Sequence, residues 1–155
     1  MTTFVNKFLA HSPKETRELG QKIGRLLKAG DLLTLEGPLG SGKTTLVKGI
    51  AKGLDVKDPA EVVSPTFVLI HEYEAREKIY HIDWYRLLKV KGQDKLLAQE
   101  CFDSQGVTLV EWAERGKGIF PKEYIQIHMK YQGPDKRVIE ISVKGKKNRN
   151  LIGSL

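Results

Sequence analysis

Apolar and polar positions alternate and cluster along the chain in a way that predicts its elements in order. TTFVNKFLA predicts a first strand. A helix follows, because Leu19, Ile23, Leu26 and Leu27 recur at three- and four-residue spacing and share one face. Ser12 marks its N-cap, Pro13 suits the first helical position, and Glu15 stands where a capping box takes an acid. Gly30 marks its expected end. DLLTLEG is a short apolar run of buried-strand length, and TTLVKGIAKGL predicts a second helix with Leu46, Val47 and Ile50 turned inward. TFVLIHEYE and KIYHIDWY are rich in β-branched and aromatic residues. They predict an antiparallel hairpin turning near Ala75 to Glu77. QDKLLAQECF predicts a helix, and VTLVEW a buried strand ending in an acid. YIQIHMKYQ and RVIEISVKG alternate apolar with polar residues around GPDK, which predicts a second hairpin. A strand, loop and helix followed by mostly antiparallel additions give an α/β fold, a mixed parallel/antiparallel sheet flanked by helices. No repeat, low-complexity tract or linker interrupts the chain, so residues 1–155 are expected to form a single domain. Within the basic tail, about residues 144–155, KGKKNRN at 144–150 is expected to be a solvated end.

Composition narrows the class. A chain of 155 residues suits one domain with a substantial core. No apolar run approaches the roughly 18 residues of a membrane span. MTTFVNKFLAHSPKE has no basic segment followed by a long apolar one, so no secretory signal is expected. Cys101 is the only cysteine, which rules out an intrachain disulfide and fits a reducing cytoplasm. The net charge of +7 favours polyanionic partners such as nucleotides, RNA or an acidic protein, and serves equally as a soluble surface.

The chemistry concentrates in EGPLGSGKTT. Gly37, Gly42, Lys43 and Thr44 match glycine, four residues, then Gly-Lys-Ser/Thr. Glycines let a backbone curl so that the N–H groups of Pro38's successors Leu39, Gly40, Ser41 and Gly42 face phosphate oxygens. A helix beginning at Lys43, Thr44 and Thr45 adds its positive end. In this pattern Lys43 reaches the β- and γ-phosphates and the Thr44 hydroxyl ligates Mg²⁺. The rival reading is a glycine-rich turn with an incidental lysine. The strand before the loop and the helix after it favour the nucleotide.

Mg²⁺ in such sites takes a second anchor from an acid ending a neighbouring buried strand. Glu111 ends VTLVE and Asp83 ends IYHID, and the residues alone do not rank them. One would hold metal and the other orient water, or either would simply cap a strand end. SPTF, at residues 64–67, occupies the place of a segment that meets a γ-phosphate, with Thr66 offering its hydroxyl to Mg²⁺ or water. On the residues alone a plain turn is the stronger reading there. His81 shares a strand face with Asp83 and reads as structural, while Trp84 and Trp112 read as core or rim aromatics that each follow a candidate acid.

GPLGSGKTT, SPTF, HIDWYRL and LVEW stand in the order and spacing of the TsaE family, older label YjeE, and the chain resembles it from about Glu15 to about Trp112. The two closing strands match in layout more than in residues. The resemblance implies a P-loop NTPase fold, ATP and Mg²⁺ as cofactors, and ATP hydrolysis in tRNA threonylcarbamoyladenosine (t6A) synthesis. It implies TsaB and TsaD as partners and tRNA contact only through the complex. By the same resemblance Lys43 and Thr44 serve phosphate and Mg²⁺, Glu111 serves the metal, Asp83 orients water, Thr66 belongs to a switch-like segment and Trp112 lies near the nucleotide. One departure stands out. The family usually has acids and then a glycine after YRL, whereas LKVKGQDKLLAQECF is basic first, with Ala98 near the glycine position.

An accessory ATPase, slow alone and faster with its partners, is the leading expectation. A small-molecule kinase on the same fold would need an arginine-rich lid, which AREK and AERGKG support poorly. A GTPase would need an Asn-Lys-x-Asp stretch, which the sequence lacks. An RNA-binding module would need aromatics interleaved with basic residues as a stacking platform, and they do not cluster so. Arg86 in WYRL reads equally as an arginine finger or as part of a structural ion pair.

Overall fold

The computed structural model describes residues 4–65 and 69–155. Strand β1 (Phe4–Ala10) leads to helix α1 (Pro13–Leu26), strand β2 (Leu32–Glu36) and helix α2 (Lys43–Gly53). The hairpin β3 (Ile70–Tyr73) and β4 (Ile79–Asp83) follows, then α3 (Gly92–Phe102) and β5 (Val107–Glu111). A second hairpin, β6 (Tyr124–Tyr131) and β7 (Arg137–Lys144), precedes the short α4 (Arg149–Ser154). Both hairpins form where the sequence predicts them. Short 3₁₀ turns lie at Pro59–Glu61 and Ala113–Gly116. No helix among the described residues is long and apolar enough to cross a membrane.

The strands form one seven-stranded sheet in the order β1-β7-β6-β2-β5-β4-β3. β2 is central and runs parallel to both neighbours, β5 and β6. β4 is parallel to β5, while β3, β7 and β1 pair antiparallel at the flanks. The mixed sheet flanked by helices is therefore as expected. On one face Leu33 and Leu35 of β2, Leu109 of β5 and Ile125 and Ile127 of β6 meet Ile23, Leu46 and Ile50 of α1 and α2. On the other, Leu32, Ile82 and Val110 meet Ala98 and Cys101 of α3, with Trp84 beneath the 3₁₀ turn. Burial on both faces explains why the parallel strands read as apolar runs and the outer hairpin alternates.

Helix α1 begins as its sequence predicts. The Ser12 hydroxyl accepts from the Glu15 N–H at 3.1 Å, and the Glu15 carboxylate accepts from the His11 N–H at 3.0 Å. Its end differs from expectation. The helix stops at Leu26, where Leu27 turns extended, and Gly30 lies beyond it with φ +86°. The reason comes from the β3–β4 turn. The Arg76 guanidinium donates to Gly24 O at 3.0 Å and Leu27 O at 2.9 Å, and to Gly53 O at 3.3 Å, capping the C-terminal ends of α1 and α2 together.

Those two helices run side by side in the same direction, in near backbone contact. A methyl added at Gly20 would lie 2.5 Å from Leu46 O; one at Gly24 would meet Ile50 O, one at Gly49 Arg17 O, and one at Gly53 Gln21 O. Gly20/Gly24 and Gly49/Gly53 are each four apart, so each pair occupies one helix face.

In the basic tail Lys146, Lys147 and Arg149 are exposed, and the tail ends in a short helix that the sequence reading did not predict. Residues 146–155 fold back, Leu151 of α4 is buried in the main core, and Lys147 lies 3.4 Å from Asp31. Three apolar residues, Leu151, Ile152 and Leu155, give the tail something to bury in spite of its charge.

Candidate functional site

β2, β5 and β4 are parallel neighbours, so their C-terminal ends emerge on one edge of the sheet. Ligands of open α/β sheets bind at such an edge. The register is close: Leu35 of β2 is opposite Glu111, and Glu111 is opposite Asp83. Sheet order separates the two acids. Adjacent strands lie about 4.8 Å apart, so Glu111 stands one strand and Asp83 two strands from the glycine-rich loop.

The loop leaves β2 at Gly37 and enters α2 at Lys43. Gly40 and Gly42 hold φ of +78° and +102°, which a side chain would resist. Gly37 passes so close to β6 that an added methyl would lie 2.6 Å from Met129 O. The Tyr131 hydroxyl donates to Leu39 O at 2.6 Å, tying the loop to the end of β6. Lys43 is 5% exposed; its ammonium donates to Gly37 O at 2.6 Å and Pro38 O at 3.0 Å, with Ser41 Oγ at 3.5 Å. It also lies 4.2 Å from the centre of the Trp112 ring. Burial lowers the Lys43 pKa, opposed by the charges of Glu111, Glu114 and Asp83.

Thr44 meets Glu111 directly, its hydroxyl donating to Oε1 at 2.9 Å. Ser64 joins them, with Oγ 2.6 Å from Thr44 Oγ1 and 3.3 Å from Glu111 Oε2. Three hard oxygen groups from α2, the 62–65 segment and β5 therefore converge. His81 Nε2 holds Glu111 Oε2 from behind at 2.6 Å. Asp83 faces the same opening with Oδ1 accepting from Tyr85 N–H at 2.8 Å. Burial raises the Asp83 pKa; the Tyr85 N–H opposes this, the Glu111 charge adds to it, and His81 and Lys43 oppose it.

Trp112 follows Glu111 in a left-handed conformation, φ 59° and ψ 41°. This is uncommon for a bulky side chain, and such strain gathers at functional sites. Its ring packs 5.0 Å from Tyr85. Trp84 instead is core, so only the second of the two tryptophans lies at the opening.

A cavity of about 400 Å³ joins these parts, bounded by the loop, Thr44, Ser64, Asp83, Arg86, Glu111 and Trp112. A second, of about 360 Å³, opens on the other side of Gly40, Gly42 and Thr45, lined by Ser12, Thr16, Asp135 and Arg137. The structure thus gathers Pro38 to Thr45, Asp83, Glu111 and Trp112 into one site. Thr66 lies outside the described residues. Sequence reasoning did not place Ser64 and Tyr73 at the site, and it read His81 as structural, where the structure has it buried against Glu111. Ser64 stood inside the SPTF motif, and the alternation of HEY and YHID places Tyr73 and His81 on one face. Of the arginines considered for a kinase lid, Arg76 caps the two helices, while Arg115 donates to Leu87 O at 2.6 Å and lies 5.3 Å from the centre of the Trp112 ring.

A family model described as threonylcarbamoyl adenosine biosynthesis protein TsaE matches residues 10–139. The match extends past Trp112 into the closing strands, further than the sequence motifs reach. The chain is 36% identical over 134 residues to the tRNA threonylcarbamoyladenosine biosynthesis protein TsaE of Treponema pallidum, covering 86% of this chain and 98% of that one. It is 40% identical over 150 residues to the Bacillus subtilis protein of the same name, covering 96% and 92%. The crystal structure of Bacillus subtilis YdiB superposes with a TM-score of 0.81 at 35% identity, covering 99% of this chain and 95% of that one. With a family model matching residues 10–139 and relatives 36% and 40% identical over most of their length, the chain belongs to the TsaE family of threonylcarbamoyl adenosine biosynthesis proteins.

Proposed function

We propose that this chain is a P-loop NTPase that binds ATP with Mg²⁺ and hydrolyses it, acting with TsaB and TsaD in t6A formation on tRNA. The single observation that carries the reading is the Thr44 hydroxyl bonded to the Glu111 carboxylate, at the end of a helix whose first residue is the buried Lys43.

The donor set fits the groups proposed. Hydroxyl and carboxylate oxygens suit Mg²⁺, which takes few protein ligands and leaves the rest to water and phosphate. Thr44 and Glu111 would hold it, and it would supply charge neutralisation at the β- and γ-phosphates. The loop backbone and the start of α2 present N–H groups to the phosphate chain. Lys43 exchanges the Gly37 and Pro38 carbonyls for phosphate oxygens, a more favourable partner for an ammonium. Asp83 accepts a hydrogen bond from water and aims its oxygen at the γ-phosphorus; as the new P–O bond forms, the bond from the γ-phosphorus to the β–γ bridging oxygen breaks and the water proton passes to Asp83 and on to phosphate or solvent, giving ADP and inorganic phosphate. The cavity beyond Gly40 and Thr45 receives the nucleoside end, with Ser12 and Thr16 as hydrogen-bonding groups and Arg137 at its rim.

Two expected results test this reading. Asp83→Ala lowers turnover by about 10²-fold or more while changing ATP affinity by less than about threefold, because the carboxylate acts in the reaction and not on the bound nucleotide. Single-turnover hydrolysis and calorimetric binding, run side by side, separate the two; unchanged hydrolysis removes Asp83 from the reaction. Turnover is also expected to be slow alone and to rise when TsaB and TsaD are added. Steady-state phosphate release measured with and without them checks this, and equal rates count against the accessory role.

A further inference from the structure

The oxygen groups around Thr44 are not held only by their own strands. A closed ring of hydrogen bonds connects them through the protein interior. His81 Nε2 meets Glu111 Oε2 at 2.6 Å, and His81 Nδ1 meets the Tyr73 hydroxyl at 3.0 Å. That hydroxyl donates to Val63 O at 3.0 Å and accepts from Val63 N–H at 3.3 Å. His71 Nδ1 adds a contact to the same carbonyl at 3.2 Å. Ser64, the next residue, returns to Glu111 and Thr44 through its own hydroxyl.

Hairpin geometry makes this arrangement. Residues two apart share a strand face, and His71 pairs directly with His81 across the strands, so Tyr73 is the diagonal neighbour of His81. Both rings are buried: His81 is fully so and Tyr73 is 3% exposed. Burial pushes the Tyr73 phenol up to about 12, against the Val63 hydrogen bond and with the Glu111 and Glu61 charges, so the hydroxyl keeps the proton it donates. A buried polar pair costs free energy unless each atom has a partner; here each has one, the single Tyr73 proton serving either Val63 O or His81 Nδ1.

We propose that Tyr73 and His81 are positioning residues that couple the 62–65 segment to the orientation of the Glu111 carboxylate, so that Ser64, Thr44 and Glu111 are set as one unit for a divalent cation. Neither ring touches the cation; His81 fixes the rotamer of Glu111, and Tyr73 fixes the main chain that carries Ser64. This rests on the Mg²⁺ reading above. Outer partners of a metal ligand typically change metal affinity about 10- to 100-fold when removed.

The test uses Tyr73→Phe, which deletes one oxygen and keeps the ring, with His81→Gln as a second variant that retains a side-chain N–H. Calorimetry with β,γ-imido-ATP in Mg²⁺ and in EDTA gives the tightening due to metal. Amide exchange at Val63 and Ser64 reports the segment. In Tyr73→Phe the metal-dependent tightening is expected to fall about tenfold, the EDTA affinity to stay within about twofold, and Val63 exchange to quicken. His81→Gln is expected to recover part of the tightening that His81→Leu loses. Faster exchange with full metal-dependent tightening overturns the coupling, as does parent-like behaviour in both measurements. A parent protein that binds no more tightly in Mg²⁺ than in EDTA overturns the metal reading and the coupling with it; parent tightening that survives in Tyr73→Phe overturns only the coupling.

Discussion

Lys43→Ala is expected to remove measurable ATP hydrolysis and to weaken ATP binding by at least about 10²-fold. The side chain is nearly buried at the start of α2, its ammonium held by two loop carbonyls and by the Trp112 face. Its pKa is lowered by burial, and Glu111, Glu114 and Asp83 oppose that shift, so acids close to the site favour its charged form. A charge kept in place before the substrate arrives needs little reorganisation to meet the phosphates, and losing one such group typically costs about 10²- to 10³-fold in rate. The fold itself loses no apolar contact of consequence, so the melting temperature is expected to change little. Calorimetry with ATP and Mg²⁺ on the folded variant checks the binding loss. Parent-like affinity would mean that the loop grips something other than a phosphate chain.

A large loss of stability is expected from a single added carbon atom. Gly24→Ala is expected to destabilise the protein by about 2 kcal/mol, the net of about 3 kcal/mol of overpacking, the upper end of its usual range because the obstacles are main chain, and about 1 kcal/mol of helix propensity returned. The new methyl would run into Ile50 O and stand 2.9 Å from the Gly53 Cα. Both are backbone atoms, so no rotamer relieves the clash, and the helices must part. For a chain of this size the change corresponds to a fall in melting temperature of about 4–8 °C. Gly24→Val, with two more methyls in the same space, is expected to cost more. Gly153→Ala in α4 is the control, because nothing lies within 4 Å of the added methyl. That variant should be neutral or slightly more stable. Thermal unfolding of the three variants decides the matter, and a Gly24→Ala protein melting at or above the parent temperature would show that α1 and α2 are not in the near contact described.

The same pair of helices shows why some of the chain was legible and some was not. Periodicity located both, since Ile23, Leu46, Val47 and Ile50 are buried where the pattern places them. The capping residues Ser12 and Glu15 are local signals and behave as such. The four glycines carried a repeat of four in plain view, yet their meaning depends on a facing backbone that is distant in sequence. Arg76 looked like part of a charged turn, and only the docking of the hairpin beneath two helix ends gives its guanidinium the three carbonyls it caps. The short helix in the tail was missed for a related reason. The tail's charge dominates the composition, but Leu151 decides where it goes once a surface exists to receive it.

By itself the sequence determined the elements from β1 to β7, apart from where α1 ends, together with the glycine-rich loop and its lysine and the two strand-ending acids, because each is written in neighbouring residues. The tertiary structure decided the order of strands. β5 lies between β2 and β4, although β4 precedes it in the chain, and this puts the Glu111 oxygen 2.9 Å from Thr44 while Asp83 stands one strand further out. It also decided that His81 and Tyr73 lie behind that carboxylate. Such placements follow from pairing between segments far apart along the chain, which depends on how the whole sheet packs and leaves no mark on any single stretch of residues.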